Sequence, residues 1–300
     1  SEVREMLDKS YPDAAVISEW GKPSNAVKAP CHADLVDHNS SLYHTLFFNY
    51  FRIEKTDANP SFFSGNAHAP IAGFIESFNE HLKATRKKGF IFLPSGNPHV
   101  RRIATGRSIK ELKIAFVFLL TMPSVPVIYY GDEIGMEYRN SLVSKEGAYE
   151  KTGSRTPMQW TDEEGAGFSD APHTDFYLPA DGAVEERNVE AQHTDVHSLL
   201  NTIRTLLKLR REYPALGTGG EFIPLYAEDN KCPLVYLRRD GKDYVLIAVN
   251  PSARSVSASF KLPKSQVFTE LKLVEGLRFM EKKDSFTIKM KEFSYGVMTF

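Results

Sequence analysis

PVIYYGDEIGM, residues 126–136, is an apolar run that halts at a glycine followed by two carboxylates. The β-branched and aromatic residues from Val125 to Tyr130 suit a strand buried on both faces, and Gly131-Asp132-Glu133 supplies the turn that closes it. Working upstream, Ser108 with Glu111 three residues on forms a capping box at the start of the apolar helix Ile109 to Leu120. Before that, Gly89 to Leu93 reads as another buried strand leaving through Pro94-Ser95-Gly96-Asn97. It is preceded by a helix from Ala72 to Arg86 whose Phe74, Ile75, Phe78 and Leu82 recur at helical spacing. Helices and strands alternating in this way predict parallel βα units. Nearer the start, Ala14 to Ser18 is a short apolar strand ending in Glu19-Trp20-Gly21. Ala33 to Asn39 is a weaker strand, with Leu42 to Phe51 helical behind it.

Downstream of the quoted stretch, residues 139–196 are polar and rich in Gly, Pro and Asp, too long for a simple connection, so a functional loop is expected. Leu199, Leu200, Ile203, Leu206 and Leu207 mark an amphipathic helix, capped by Thr194 or Asp195 and stopped before Pro214. After Gly217-Thr218-Gly219-Gly220 the texture changes to β-rich runs at Leu234–Arg238, Tyr244–Val249, Ser255–Leu262, Phe268–Leu273, Phe286–Met290 and Gly296–Phe300. A separate all-β domain from about residue 219 follows.

Composition excludes several functions. Of 300 residues, 42% are hydrophobic, enough for a packed core, and 37 Lys+Arg against 38 Asp+Glu leave a net charge of -1. That balance gives no positive excess to neutralise a phosphate backbone or an anionic bilayer, so neither nucleic acid nor membrane is an expected partner. The most apolar stretch, Ile114 to Tyr130, is broken by Pro123 and Pro126 and is too short to span a bilayer. Cys31 and Cys232 lie far apart and make no metal-type pair with a neighbouring histidine. Likewise His32, His38 and His99 have no convincing ligand spacing, so no metal and no cofactor are expected. The charged opening, Glu2 to Lys9, is not an apolar leader, which favours the cytoplasm while leaving the compartment open.

Three segments in order, PVIYYGDEIGM (126–136), GSRTPMQW (153–160) and GAGFS (165–169), resemble glycoside hydrolase family 13, the α-amylase family. The likeness is to its α-glucosidase and trehalose-synthase-like branch, and it runs from Ala14 to about Ala215. The resemblance implies an α/β fold in which residues 1–218 are the C-terminal half of a (β/α)8 TIM barrel, strands five to eight, with the long loop 139–196. Residues 219–300 would follow as an all-β sandwich domain. Family members place catalytic groups at the C-terminal ends of the barrel strands. Carried over, Ala14–Trp20 is the fifth strand, Gly89–Leu93 the seventh and Val125–Tyr130 the eighth, and Glu19 is the general acid/base. Trp20, Asp34, Asn97, Arg155 and Gln159 are the candidate sugar-binding residues, and Asp132-Glu133 more plausibly brace the loops against Arg155 or another cation.

Two departures from the family pattern bear on activity. A retaining glycosidase needs a second carboxylate about 5–5.5 Å from the acid; the family draws it from Gly-x-Arg-x-Asp, which this sequence does not contain. Where the family carries Asn-His-Asp after the seventh strand, this chain has Asn97-Pro98-His99, so His99 stands in a degenerate position and the carboxylate is lost. The implied function is processing of α-glucosidic oligosaccharides, by hydrolysis or glucosyl transfer, with the isolated chain catalytically silent. The alternative is a non-catalytic, amylase-like carbohydrate-binding or protein-interaction module. Half a barrel has open edges and an uncovered apolar face, so self-association or a missing N-terminal half is the expected protein partner.

Overall fold

Two sheets of opposite type divide the chain. The computed structural model describes residues 2–37, 39–47, 61–142, 152–180, 182–263, 270–282 and 285–300. The first sheet has four strands in the order β1 (Ile17–Ser18), β2 (Ala33–Leu35), β3 (Phe90–Pro94) and β4 (Val125–Val127), and all its pairs are parallel. Its helices are α1 (Glu2–Ser10), α2 (Pro23–Ala26), α3 (Ser41–Leu46), α4 (Ile71–Thr85), α5 (Ile109–Thr121), α6 (Val189–Thr194) and α7 (Leu199–Glu212).

Register assigns the faces. Ile17, Ala33 and Phe90 lie side by side, as do Leu35, Phe92 and Val125, and alternation places both rows on one face. On the opposite face Ile91 and Leu93 are buried in one cluster with Phe74, Ile75 and Phe78 of α4 and Phe116 and Phe118 of α5. The first face stays open: Ile17 is 46% and Phe90 51% exposed, and Leu35, Phe92, Val125 and Val127 are half-buried. Among the described residues, helices therefore cover this sheet on one side only.

The strands are shorter than the apolar runs suggested, for a local reason. Beyond Ser18 the backbone N–H groups of Trp20 and Lys22 turn to the Asp34 carboxylate instead of a neighbouring strand. Beyond Val127, the N–H of Tyr129 bonds the Ser95 hydroxyl at 3.0 Å. Helix α5 opens on the expected capping box between Ser108 and Glu111. Helix α7 is capped by Ser198, whose hydroxyl accepts from Asn201 N at 3.1 Å, not by Thr194 or Asp195. Those two residues end α6, a helix inside the segment expected to be loop, where Asn188 accepts from Ala191 N at 2.7 Å. The anticipated helix from Leu42 begins one residue earlier as α3, and residues 48–51 lie outside the described residues, as does His38.

The second sheet is antiparallel, ordered β5 (Glu221–Tyr226), β6 (Leu234–Asp240), β7 (Asp243–Asn250), β10 (Ser285–Thr299) and β8 (Val256–Phe260), with β9 (Glu270–Lys282) along β10. Its pairing runs continuously through β10, and one core is shared between β6–β7 and β8–β10. The runs Phe286–Met290 and Gly296–Phe300 are parts of one strand: β10 pairs β8 through its first half and β7 through its second. The register breaks between Met290 and Tyr295, where Phe293 takes φ 47. Both faces are buried. Leu234, Tyr236, Val245, Ile247 and Val249 join the cluster that contains α5 and α7, while Val235, Leu237, Leu246 and Ala248 form a second core. Strand β5 and the strand character of 274–282 escaped the sequence reading, and the anticipated strand Phe268–Leu273 falls partly outside the described residues.

Two arginines gather the carbonyls around the end of α5, Arg238 from the second sheet and Arg210 from α7. Arg238, fully buried, donates to the carbonyls of Gly217 at 2.6 Å, Gly220 at 3.2 Å and Thr121. Arg210 donates to Leu120 O at 2.9 Å and Met122 O at 3.0 Å. The carbonyls left over at the end of α5 are thus satisfied by cations, which the helix dipole also favours.

Candidate active-site rim

Because the four strands are parallel, the residues that follow each one emerge on the same edge of the sheet. Glu19 follows β1 and is exposed, with Trp20 beside it 52% exposed. Gly21 makes the turn behind them at φ 62, where a Cβ would lie 2.7 Å from Ser40 Cβ, so only glycine lets the loop pack there. Asp34, fully buried, holds this loop: it accepts from the Ser18 hydroxyl at 2.5 Å, Trp20 N at 2.9 Å and Lys22 N at 2.6 Å. Its oxygens are thus committed to the chain, and the structure makes it a brace of the Glu19 loop with no surface open to a sugar.

A chain of hydrogen bonds runs along the rim. The Asn39 side chain donates to the Glu19 carbonyl at 3.4 Å, and Asn39 N donates to the Asp37 carboxylate at 3.1 Å. Asn97 Nδ2 donates to the other Asp37 oxygen at 3.3 Å, and Asn97 Oδ1 accepts from His99 N at 2.7 Å. The exits of β1, β2 and β3 are thereby tied together, and the half-buried His99 shares an edge with Glu19. Asn97 is itself buried, its amide engaged on both sides, so it positions the turn. Asp37, 1% exposed, is the link that sequence reading missed. Its one signal was being a carboxylate near the end of the weak strand Ala33 to Asn39.

The β3 and β4 exits are joined by a buried polar knot. Ser95 donates to Asp132 at 2.7 Å, and Arg102 Nη1 lies 3.3 Å from the other Asp132 oxygen while donating to Tyr130 O at 2.5 Å. The guanidinium sits over the rings of Tyr129 and Tyr130, 5.0 and 4.8 Å from their centroids. Arg102, not Arg155, is the cation that braces Asp132. Burial pushes the Asp132 carboxyl up to about 6, with Arg102 and Ser95 acting in the opposite sense. Burial also raises the Glu133 carboxyl above its ordinary range. Gly131, at φ 82, makes the turn.

Arg155 and Gln159 belong to the segment after β4. Gln159 is fully buried and donates to Arg187 O at 3.0 Å, which anchors the loop to α6 and withdraws the amide from solvent. Arg155 lines a cavity of about 580 Å³ together with Tyr130, Glu133 and Trp160. Among the described residues, no three His, Cys, Asp or Glu side chains are grouped to hold a metal, and no helix is long and apolar enough to cross a membrane. Cys31 and Cys232 are both free thiols. Glu19 and Asp132 therefore stand beyond the outer strands of one parallel sheet, on its C-terminal edge.

Comparison with known proteins accords with this geometry. The family model "Alpha amylase, catalytic domain" matches residues 1–219. The trehalose synthase/amylase TreS of Mycobacterium tuberculosis is 35% identical over 176 residues, covering 56% of this chain and 28% of that protein. A salivary alpha-glucosidase of Aedes aegypti is 26% identical over 283 residues, covering 85% of this chain and 46% of that protein. A MutB variant solved in complex with glucose superposes with a TM-score of 0.72 at 18% identity, over 99% of this chain and 57% of that one. This chain thus spans less than half of either curated relative.

Proposed function

Since the chain belongs to the α-amylase catalytic-domain family, we propose that it supplies the acid/base side of a retaining α-glucoside-processing site, with Glu19 as general acid and base. The observation that carries the proposal is the shared rim: exposed Glu19 and half-buried His99 are linked through Asn39, Asp37 and Asn97 on the C-terminal edge of one parallel sheet. Residues 1–218 act as strands five to eight of a (β/α)8 barrel, and residues 219–300 as a second domain packed behind α5 and α7. The sheet face bearing Ile17 and Phe90 is where the complementary strands close the barrel.

In the completed site Glu19 protonates the departing glycosidic oxygen, and its carboxylate then activates the acceptor, water for hydrolysis or a sugar hydroxyl for transfer. The nucleophilic carboxylate comes from outside these 300 residues. Trp20 presents its ring to a pyranose face. Asp34, Asp37, Asn97 and Gln159 act by positioning loops. The ligand is an α-glucosidic oligosaccharide, whose repeating unit is the glucose bound to the MutB variant. A second reading, a sugar-binding module without turnover, is favoured by His99 standing where the family has a carboxylate; the retained Glu19 favours the first.

Hydrolysis of maltose and 4-nitrophenyl α-glucoside is the test, by the chain alone and by the chain fused behind the part of the M. tuberculosis relative that precedes the matched segment. The chain alone is silent. The fusion turns over and loses about 100-fold or more on Glu19→Gln. A fusion whose turnover is indifferent to Glu19→Gln overturns the assignment, and one that binds maltose without turnover supports the second reading.

A further inference from the structure

At the opposite end of the parallel strands from Glu19, a cavity of about 550 Å³ opens between the end of α4, the start of β3 and the turn that leads into β5. Three cations of one short stretch, Lys83, Arg86 and Lys87, line it, and their side chains make no ion pair or hydrogen bond among the described residues. Among the described residues the lining holds one carboxylate, Glu221, already ion-paired with Arg239. A cleft walled by one sign of charge concentrates ions of the other sign. The end of α4 opposes this with a partial charge of roughly −0.5, which three full positive charges exceed. Across from the cations, exposed Thr218 and Gly219 border the same space, and their backbone N–H groups donate to no described acceptor. A Cβ at Gly219 would meet nothing within 4 Å, so this backbone is open to a ligand.

Lys87 adds an independent signal. It sits at φ 61, just past the end of α4, in the left-handed region where glycine is the usual residue. Strain kept in a cavity wall points to a use for the side chain that requires it. The floor is apolar: Leu82, Phe222 and Ile223 line it. The Phe222 ring is held against Tyr236 and Phe78, at 5.2 and 6.4 Å between centroids.

We propose that this cavity binds an organic phosphate that carries a flat ring, the chemistry of a nucleoside diphosphate. Its phosphates lie against Lys83, Arg86, Lys87 and the Thr218 and Gly219 amides, and its ring lies on the floor around Phe222. A neutral sugar would leave three cations without a counter-charge, an inorganic anion would leave the apolar floor bare, and an organic cation would be repelled. The site is separate from the rim. Phe90, the first residue of β3, lines the cavity, whereas Asn97 follows the other end of that strand, beyond about 13 Å of extended chain. The cavity performs no chemistry, and its occupancy is independent of the proposed function.

Calorimetry with ADP, at low salt and without phosphate buffer, is expected to show saturable binding. Pyrophosphate, which has no ring to stack, binds about tenfold more weakly, and adenosine gives no measurable heat. Lys87→Gly removes a cation and relieves the backbone, so ADP affinity falls about tenfold while the thermal midpoint holds or rises, a pairing that a merely structural lysine would not give. Arg86→Gln weakens binding to a similar extent with an unchanged far-UV spectrum, and Glu19→Gln leaves it as it is. Absence of heat at millimolar ADP, or an affinity that neither cation variant lowers, overturns the site. Pyrophosphate binding as tightly as ADP overturns the assigned ligand class. Cosedimentation with phosphatidylglycerol vesicles that ADP does not displace gives the basic edge to a lipid surface and overturns the proposal too. Each of these failures leaves the proposed function standing, since none involves Glu19.

Discussion

Replacing Arg102 with methionine removes the cation from the knot between the β3 and β4 exits while keeping most of its length. In the native chain the side chains of Arg102 and Asp132 are both fully shielded from solvent, and the carboxylate also faces Ser95 and Glu133. Removing one partner of a buried ion pair costs about 3–5 kcal/mol when the other stays charged. Asp132 has a way out, because its carboxyl already titrates at about 6 against an ordinary value of 3.8. A raised carboxyl pKa stabilises the folded state at low pH. That contribution, about 3 kcal/mol, is complete below 3.8 and is lost as the pH rises through 6. Without Arg102 the pKa climbs further, so the window of falling stability extends above pH 6 with a slope approaching about 1.4 kcal/mol per unit. Urea unfolding followed by circular dichroism from pH 4 to 8 should show wild type levelling off above pH 6 and Arg102→Met continuing to weaken, with the gap largest at pH 8. A deficit below about 1 kcal/mol at pH 8, or one that does not change with pH, would refute the reasoning.

Three further outcomes follow from the packing. Asp34→Asn turns an amide donor toward the N–H of Trp20 or Lys22 and should cost about 2–3 kcal/mol, with a shift in Trp20 emission as its loop loosens, read in a Trp160→Phe background. Arg238→Met strips four carbonyls around the end of α5 and the start of β5 of their donor and should lower stability by about 3 kcal/mol or more; a thermal melt within about 2 °C of wild type, the shift expected for only about 1 kcal/mol, speaks against this role. Ser108→Ala deletes the cap of α5 and should cost about 1 kcal/mol in urea unfolding.

The sequence made the parallel sheet legible because its strands are buried apolar runs closed by turn residues, and because Ser108 and Glu111 announce α5 unambiguously. Where strands end was not legible. That depends on Asp34 and Ser95 capturing backbone N–H groups that would otherwise continue a ladder, and no periodicity records a side chain from a different strand. The β-rich tail misled in a related way. With both faces buried, β6 and β7 show no alternation, and β10 reads as two strands because its register break near Phe293 imitates a turn. At the rim, Glu19 and His99 were visible as residues at strand ends, whereas Asp37 and Arg102 acquire meaning only through Asn97 and Asp132, far off in sequence. Asp34, Asn97 and Gln159 were expected as sugar ligands from polar side chains at strand exits and in loops, and their burial is what no such pattern records.

The most direct measurement is a crystal structure of the chain soaked with maltotriose. The account predicts the β1 to β4 exits on one edge, with a sugar oxygen within hydrogen-bond reach, about 3.2 Å or less, of the Glu19 carboxylate. Strand ends pointing to opposite edges, or a Glu19 carboxylate locked in an ion pair with no sugar at the rim, would contradict it.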